Sequence, residues 1–398
     1  MLKGKTVVLG VTGSIAAYKI ASLASMLVKQ HADVNVIMTQ NATNFINPIT
    51  FETLTSNKCL VDTFDRNFQF NVEHVALAKR ADIFMVAPAS ANVIGKMANG
   101  IADDMLTTTI LAAKCPKLVS PAMNTNMFEN QIVQDNLKKL EGYGFEVIKP
   151  AEGYLACGDT GAGKMPEPET LFNYIIRTIG CDKDMLGKKV LITAGATQEK
   201  IDPVRFITNH STGKMGRAIA ENCMLRGAEV TLVNASVSVE PPMFVDVVNV
   251  TSAADMADVV KEKAPEQDII IMTAAVADFR PSHPADEKIK KKDSADDSVI
   301  ELERTEDILS YLGAHKEPGQ LICGFSMETE HMLENSKAKL AKKNADMIVA
   351  NNLKVEGAGF GTDTNIVTLI TADDCQQLEI MDKSRVAEKI MDRLLQMN

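Results

Sequence analysis

Residues able to do chemistry stand at a few distinct places along the chain. In the first half, His74 stands in Asn71-Val72-Glu73-His74-Val75. An imidazole can exchange protons near neutral pH, although a lone histidine is more often structural. Asn124 follows Pro121-Ala122-Met123, where its amide serves a polar ligand or the pivot of an Asx turn. Cys157, in Ala156-Cys157-Gly158-Asp159, sits at the root of a glycine-rich stretch, an unusual place for an inert core thiol. In the second half, Asp278 ends Ala274-Ala275-Val276-Ala277-Asp278 as a ligand group or a turn residue. Lys288 lies in Glu287-Lys288-Ile289-Lys290-Lys291, a charge run of the kind that is ordinarily solvated. Lys339 and Lys343 are four apart and share one helix face, most often the face turned to solvent.

Two glycine–lysine segments invite a phosphate-binding reading. Gly158-Asp159-Thr160-Gly161-Ala162-Gly163-Lys164-Met165 nearly spells the loop whose backbone N–H groups cradle a triphosphate, but Met165 replaces the hydroxyl that holds magnesium. No apolar strand leads into it, and Pro166 and Pro168 argue against the long helix that should follow. It reads as a glycine-rich lid. Asn209-His210-Ser211-Thr212-Gly213-Lys214-Met215-Gly216 also ends in Gly-Lys at a helix start. It is either an anion site built on a helix N-terminus or simply an N-cap.

The elements that must position these groups repeat. Thr6-Val7-Val8-Leu9 and Val190-Leu191-Ile192 are short β-branched strands, each preceded by a basic Lys/Gly segment and followed by a glycine turn. Such strands, buried on both faces, belong to parallel sheets. A helix from about Ile15 to Lys29 and a strand Val34 to Met38 complete a βαβ unit, with further strands at Asp82 to Val86 and Lys117 to Val119. The second half continues with a helix Lys214 to Arg226 and strands at Glu229 to Val233, Asp268 to Thr273, Gln320 to Phe325 and Asp346 to Ala350. A late strand pair (Asn365 to Ile370 and Gln377 to Ile380) and a closing helix from Ser384 end the chain. The expected fold is α/β, two Rossmann-like doubly wound domains, with a boundary near Gly180 to Gly187 and a charged loop over Asp286 to Asp297. Gly10-x-x-Gly13 gives a tight turn, but neither half carries GxGxxG after its first strand, so a nicotinamide site is not expected.

Composition narrows the class. The 398 residues are 45% hydrophobic and 24% charged, ordinary for a globular chain of two domains. A formal net charge of −10 argues against a nucleic-acid partner. Seven cysteines without a CxxC pair or zinc spacing fit a reducing compartment, and no apolar run has the roughly 18 residues that a membrane span needs. A cytoplasmic location without membrane association follows as an expectation.

Taken in order, Gly13-Ser14-Ile15-Ala16-Ala17-Tyr18-Lys19, His74, Ala87-Pro88-Ala89-Ser90-Ala91-Asn92, Pro121-Ala122-Met123-Asn124 and Ala156-Cys157-Gly158-Asp159 resemble the flavin-dependent cysteine decarboxylase family, over essentially the whole first half. The resemblance implies a flavodoxin-like domain over 1–180, with FMN held by Gly13, Ser14, Ile15, Thr39, Ser90 and Asn92. It implies that His74 is required for oxidative decarboxylation, that Asn124 binds the substrate carboxylate, and that Cys157 is the proton donor. The logic is physical: electrons left behind by departing carbon dioxide need a sink, and the flavin supplies it by oxidising the C–S unit.

In the second half, Asp202-Pro203-Val204-Arg205-Phe206-Ile207-Thr208-Asn209-His210-Ser211, Gly213-Lys214-Met215-Gly216, the Ala274 to Asp278 run and Glu287-Lys288-Ile289-Lys290-Lys291 are similar to phosphopantothenate–cysteine ligases, and the match runs to the C-terminus. The resemblance implies a CTP-dependent ligase domain over 187–398. Asp278, Phe325, Lys339 and Lys343 would contact CTP, Lys288 would act near the triphosphate in the first half-reaction, and Asn209 would serve turnover of the acyl-cytidylate. Magnesium would accompany the triphosphate, through ligands the sequence leaves unknown. The loop before Asp307-Ile308 reads Arg304-Thr305-Glu306, a departure from the family pattern. Fusion in this order resembles the bacterial bifunctional enzymes of coenzyme A synthesis, acting on 4′-phosphopantothenate, cysteine and CTP. Such families imply homo-oligomers, with trimer-based decarboxylase assemblies and dimeric ligase domains. Two alternatives remain at this point: a non-catalytic flavoprotein regulator, or a peptide-cysteine decarboxylase with an unrelated second domain.

Overall fold

Each of the six residues Thr6–Val11 is buried, so this segment has no solvent face and can only be an interior strand of a sheet covered on both sides. The computed structural model, which describes residues 2–63, 73–154, 158, 160–289, 299–328, 332–352, 359 and 361–397, places it inside the N-terminal sheet with a strand on either side. The chain divides into two units, Met1–Asp182 and Lys183–Asn398.

The first unit carries β1 (Thr6–Val11), β2 (Asp33–Met38), β3 (Ile83–Ala89), β4 (Lys117–Pro121) and β5 (Phe145–Val147), all parallel in the order β2-β1-β3-β4-β5. This is the flavodoxin-like order, whose switch point lies between β1 and β3. The helix expected from Ile15 begins at Ala17 and buries Ala17, Ile20, Leu23, Ala24 and Leu27, the one-face spacing of an amphipathic helix. On one side of the sheet Val8, Phe84, Val86 and Val119 pack with Val93, Ile94, Leu106 and Leu140. Each such fully buried large aliphatic side chain is worth about 1.5–3 kcal/mol of burial free energy.

Three local expectations are corrected. Gly10 is not part of a turn: it lies inside β1, where a Cβ would come within 2.5 Å of Leu106 Cδ1. The glycine-rich stretch read as a lid is in its described part a strand, β7 (Thr160–Lys164), paired antiparallel with β6 (Ala151–Tyr154). Pro168 does not block a helix but starts one, standing in the first turn of Pro168–Ile179. There the missing N–H is no loss and the ring's φ suits the helix.

The second unit carries β8 (Lys189–Ala194), β9 (Glu229–Asn234), β10 (Asp246–Asn249), β11 (Ile269–Met272), β12 (Leu321–Glu328), β13 (Met347–Asn352), β14 (Val367–Ile370) and β15 (Cys375–Gln377). Their order is β10-β9-β8-β11-β12-β13-β14-β15. Strands β8 to β13 are parallel with the Rossmann reversal between β8 and β11, and β14 and β15 add antiparallel at one edge. The closing helix Lys383–Leu395 packs on the helix Lys214–Leu225. The fold is thus α/β with two doubly wound sheets, the first parallel and the second parallel except at one edge. Among the described residues no helix is long and apolar enough to cross a membrane.

Candidate functional sites

In the first unit the carboxyl ends of β1 and β3 are tied together by one buried hydroxyl. Thr12 Oγ1 donates to the Pro88 carbonyl at 2.6 Å and accepts from the Ser90 N–H at 2.9 Å. This holds the Gly13-Ser14-Ile15 turn beside Ser90, which caps the helix Ala91–Ala98 by accepting from the Val93 N–H at 3.5 Å. Asn92 is exposed in that helix's first turn. A Cβ on Gly13 would fall 2.8 Å from Asn41 Cβ, so glycine there permits a close chain approach. Thr39, just past β2, is 8% exposed and its Oγ1 has no hydrogen-bond partner. Ser120 Oγ, at the carboxyl end of β4, is likewise buried and unpartnered. Orphaned hydroxyls are costly to bury, and two of them at one edge of a parallel sheet mark where a polar ligand would complete the hydrogen bonding.

The hairpin of β6 and β7 joins this edge through glycine. The Met123 N–H donates to the Gly163 carbonyl at 3.1 Å. Gly163 has φ +124°, and a Cβ there would lie 2.4 Å from the Met123 carbonyl oxygen. A Cβ on Gly161 would lie 2.7 Å from Thr125 Oγ1. Only a strand without side chains at these positions can lie this close to the Asn124 segment. Gly163→Ala should therefore destabilise the N-terminal unit by at least about 2 kcal/mol, whereas Gly100→Ala, at another positive φ but in open space, should cost less. Equal losses in chemical denaturation would refute the close-packing argument.

Asn124 caps the helix Thr125–Glu129, its Oδ1 accepting from the Asn126 N–H at 2.9 Å. The Asx geometry fixes the orientation of the Asn124 amide. Lys19 Nζ reaches Glu167 Oε1 at 2.7 Å, fastening the first helix to the chain after the hairpin, and this ammonium holds the Glu167 carboxyl below its usual range. His74 is half-buried in the first turn of the helix Glu73–Arg80. Cys157, with Ala156 and Asp159, lies outside the described residues, as do Lys290 and Lys291 and the rest of the charged loop through 298.

In the second unit a cavity of about 670 Å³ opens beyond the carboxyl ends of β11, β12 and β13. Asn209, Asp278, Phe325, Lys339 and Lys343 all line it; Lys288 does not, and stands exposed in the loop before the undescribed stretch. Lys339 and Lys343 share a helix face, as their spacing requires, but the face is turned inward. Lys339 Nζ donates to the Phe325 carbonyl at 3.0 Å, and Lys343 Nζ donates to Ser310 Oγ at 2.7 Å and pairs with Asp307. Burial alone would raise the Asp307 carboxyl; Lys343 and the Ser310 N–H together override it and hold it low. The Ala274 to Asp278 run is pinned by two threonines: Ala277 N–H donates to Thr197 Oγ1 at 3.0 Å, and Thr305 Oγ1 donates to the Ala277 carbonyl at 2.5 Å.

The Asn209 to Gly216 segment caps a helix and also borders the cavity. Gly213, at φ +77°, is the helix N-cap and supplies no side-chain cap, while Ser211, Thr212 and Lys214 border the cavity. Gly216 lets the helix meet the sheet: a Cβ there would lie 2.6 Å from Ala194 Cβ.

Several site residues escape sequence reasoning. Thr12 and Ser120 are single hydroxyls in apolar runs. Lys383 is one lysine in a charged closing segment, yet it is 7% exposed, lines the cavity and donates to the Gly359 carbonyl at 3.1 Å. Burial, then the neighbouring Lys214 ammonium, push it below the usual lysine range against the pull of Asp363.

A family model described as DNA/pantothenate metabolism flavoprotein C-terminal domain matches residues 185–397, and one described as Flavoprotein matches residues 1–180. The chain is 46% identical over 398 residues to the coenzyme A biosynthesis bifunctional protein CoaBC of Bacillus subtilis (strain 168), covering 99% of this chain and 97% of that protein. It is 40% identical over 393 residues to the protein of the same name from Vibrio vulnificus (strain YJ016), covering 99% and 98%. A cysteine/cysteine sulfinic acid decarboxylase from an unknown prokaryotic organism is 43% identical over 356 residues, covering 88% of this chain and 99% of that protein.

Proposed function

The chain belongs to the family of bifunctional coenzyme A biosynthesis proteins, which are lyase and ligase in one, and from that premise we propose how its two units divide the work. The C-terminal unit joins 4′-phosphopantothenate to cysteine. A carboxylate oxygen attacks the α-phosphorus of CTP and pyrophosphate leaves with the bond's electron pair. The cysteine amine then attacks the acyl carbon, and CMP leaves. Asp278, Phe325, Lys339 and Lys343 hold CTP, the two lysines offsetting charge that grows on the leaving pyrophosphate. Lys288 acts on the triphosphate in the first step, and Asn209 on the acyl-cytidylate in the second. The observation that carries this assignment is the single cavity lined by Asn209, Asp278, Phe325, Lys339 and Lys343. Magnesium enters with the triphosphate; among the described residues no three His, Cys, Asp or Glu side chains come together to hold a metal.

The N-terminal unit then decarboxylates the product to 4′-phosphopantetheine. FMN supplies the electron sink that lets carbon dioxide depart. The sheet edge suits such a group because Thr39 Oγ1 is buried without a partner beside the Gly13-Ser14-Ile15 turn. Gly13, Ser14, Ile15, Thr39, Ser90 and Asn92 hold the flavin, Asn124 orients the substrate carboxylate, His74 serves the oxidative step, and Cys157 returns a proton to carbon. Thr39→Val, nearly the same shape without the hydroxyl, should weaken FMN binding about tenfold and leave the flavin-free protein as stable or more so. Flavin fluorescence titration reads this directly, and unchanged affinity would remove Thr39 from the site.

A homo-oligomer in the cytoplasm completes the proposal. The assay that tests it supplies CTP, magnesium, cysteine and 4′-phosphopantothenate to the purified protein and follows pyrophosphate and carbon dioxide. Release of neither sinks it. The resemblance to a cysteine/cysteine sulfinic acid decarboxylase favours a second reading, in which the first unit accepts free cysteine. Carbon dioxide from cysteine alone, without CTP, would support that one.

A further inference from the structure

The Asp202 carboxylate is the most heavily used side chain in the second unit that no step above employs. Its side chain is 0% exposed. Its Oδ1 accepts from the Val204 N–H at 2.8 Å and the Arg205 N–H at 2.9 Å. Its Oδ2 accepts from Arg205 Nε at 2.9 Å, from Arg205 Nη2, and from the Ile289 N–H at 3.1 Å. Arg205 Nη2 also donates to the Ile289 carbonyl at 2.9 Å, so both backbone groups of Ile289 are held by one ion pair. A second suture lies four residues earlier, where the Ala285 N–H donates to the Ile201 carbonyl at 2.9 Å.

Two chemistry-bearing segments meet at this carboxylate. On one side, Arg205 leads directly into the strand Phe206–Thr208 and then Asn209 at the cavity. On the other, Ile289 directly follows Lys288. Holding the Ile289 N–H fixes the peptide plane between Lys288 and Ile289, and with it the direction in which an exposed, otherwise freely swinging lysine leaves the chain. A short turn needs no buried charge to close it. Sequestering a carboxylate is costly unless its lone pairs are filled, as they are here.

We propose that Asp202 is a positioning residue for the ligase reaction: it clips the Lys288 loop to the segment that carries Asn209, so that both half-reactions share one register. This rests on the assignment of Lys288 to the first half-reaction. Asp202→Asn keeps the size, loses the charge, and sets an NH2 or a weaker acceptor against the Ile289 N–H and Arg205.

The test measures pyrophosphate release from CTP and 4′-phosphopantothenate by the full-length protein. Asp202→Asn should lower kcat about 100-fold, the effect of displacing a reacting group by roughly an ångström, with KM for CTP nearly unchanged. Lys288→Ala should be at least as slow. The double variant should be no slower than Lys288→Ala, since a residue acting through Lys288 then has nothing left to place. Losses that multiply in the double variant overturn the positioning role and leave the Lys288 assignment standing. So does a loss confined to KM or to thermal stability. A fully active Lys288→Ala overturns the assignment and the inference with it. Should Asp202→Asn fail to fold, Ile289→Pro, which deletes the N–H that Asp202 accepts from, goes through the same cycle.

Discussion

Replacing Cys157 by serine is expected to lower the yield of 4′-phosphopantetheine about 1,000-fold, the upper middle of the range for removing a positioned proton donor, while carbon dioxide is still released. The material that accumulates should be two hydrogens short of the normal product, which mass spectrometry distinguishes. The reason is the order of events. Loss of carbon dioxide needs only the electron sink and the oriented carboxylate, and leaves an electron-rich carbon–carbon double bond beside sulfur. Reduction of that bond would need both the electron pair that the flavin took up in the first step and a proton delivered to carbon, so without the proton one oxidised product would accumulate per flavin, which would be left reduced. A thiol with an ordinary pKa near 8.5 can give that proton; a serine hydroxyl is far too weak an acid. Residues 160–164, a few positions after Cys157, form β7. This strand lies against the Met123-Asn124 segment through the Gly163 carbonyl and the bare face of Gly161. Asn124 is the residue assigned to the substrate carboxylate. An unchanged phosphopantetheine yield from Cys157→Ser would refute the proton-donor role.

Lys343→Met should reduce kcat/KM for CTP about 1,000-fold in pyrophosphate release, roughly 4 kcal/mol of lost transition-state stabilisation. The Lys343 ammonium sits at the cavity wall with its side chain 12% exposed, bonded to Ser310 and Asp307. Its charge is already largely desolvated, so it does not have to shed water when phosphate oxygens arrive, and low local screening strengthens what it contributes. Methionine fills the same volume and leaves the helix face packed. The same variant should still decarboxylate phosphopantothenoylcysteine supplied from outside, because the two sites belong to separate units, Met1–Asp182 and Lys183–Asn398. Loss of both activities together would point to misfolding instead, and loss of neither would remove Lys343 from the nucleotide site.

Much of this is legible in the order of the amino acids. The two buried strand-plus-glycine openings announce two parallel sheets, because a strand with no polar face can only lie inside one. Asn124 and Asp278, each just past an apolar run, are already placed by the sequence at strand ends, where doubly wound sheets bind ligands. The departures are local and physical. Gly10 looks like a turn residue, yet it lies where Leu106, nearly a hundred positions away, needs the space of its missing Cβ. Pro168 looks like a helix breaker, yet a helix starts there, where proline fits best.

Sequence alone therefore determined the fold class and the order of the two units, since these follow from the periodicity of buried strands and helices. Only the tertiary structure decided direction and partnership. Periodicity states that Lys339 and Lys343 share a face but not where that face looks; the structure turns it into a cavity. Nothing along the chain shows that Asp202 grips Ile289, 87 positions on, or that Thr39 is left without a partner. Those facts arise when crossover connections bring distant segments to one sheet edge, and a buried carboxylate or hydroxyl takes its meaning from what is, or is not, across from it.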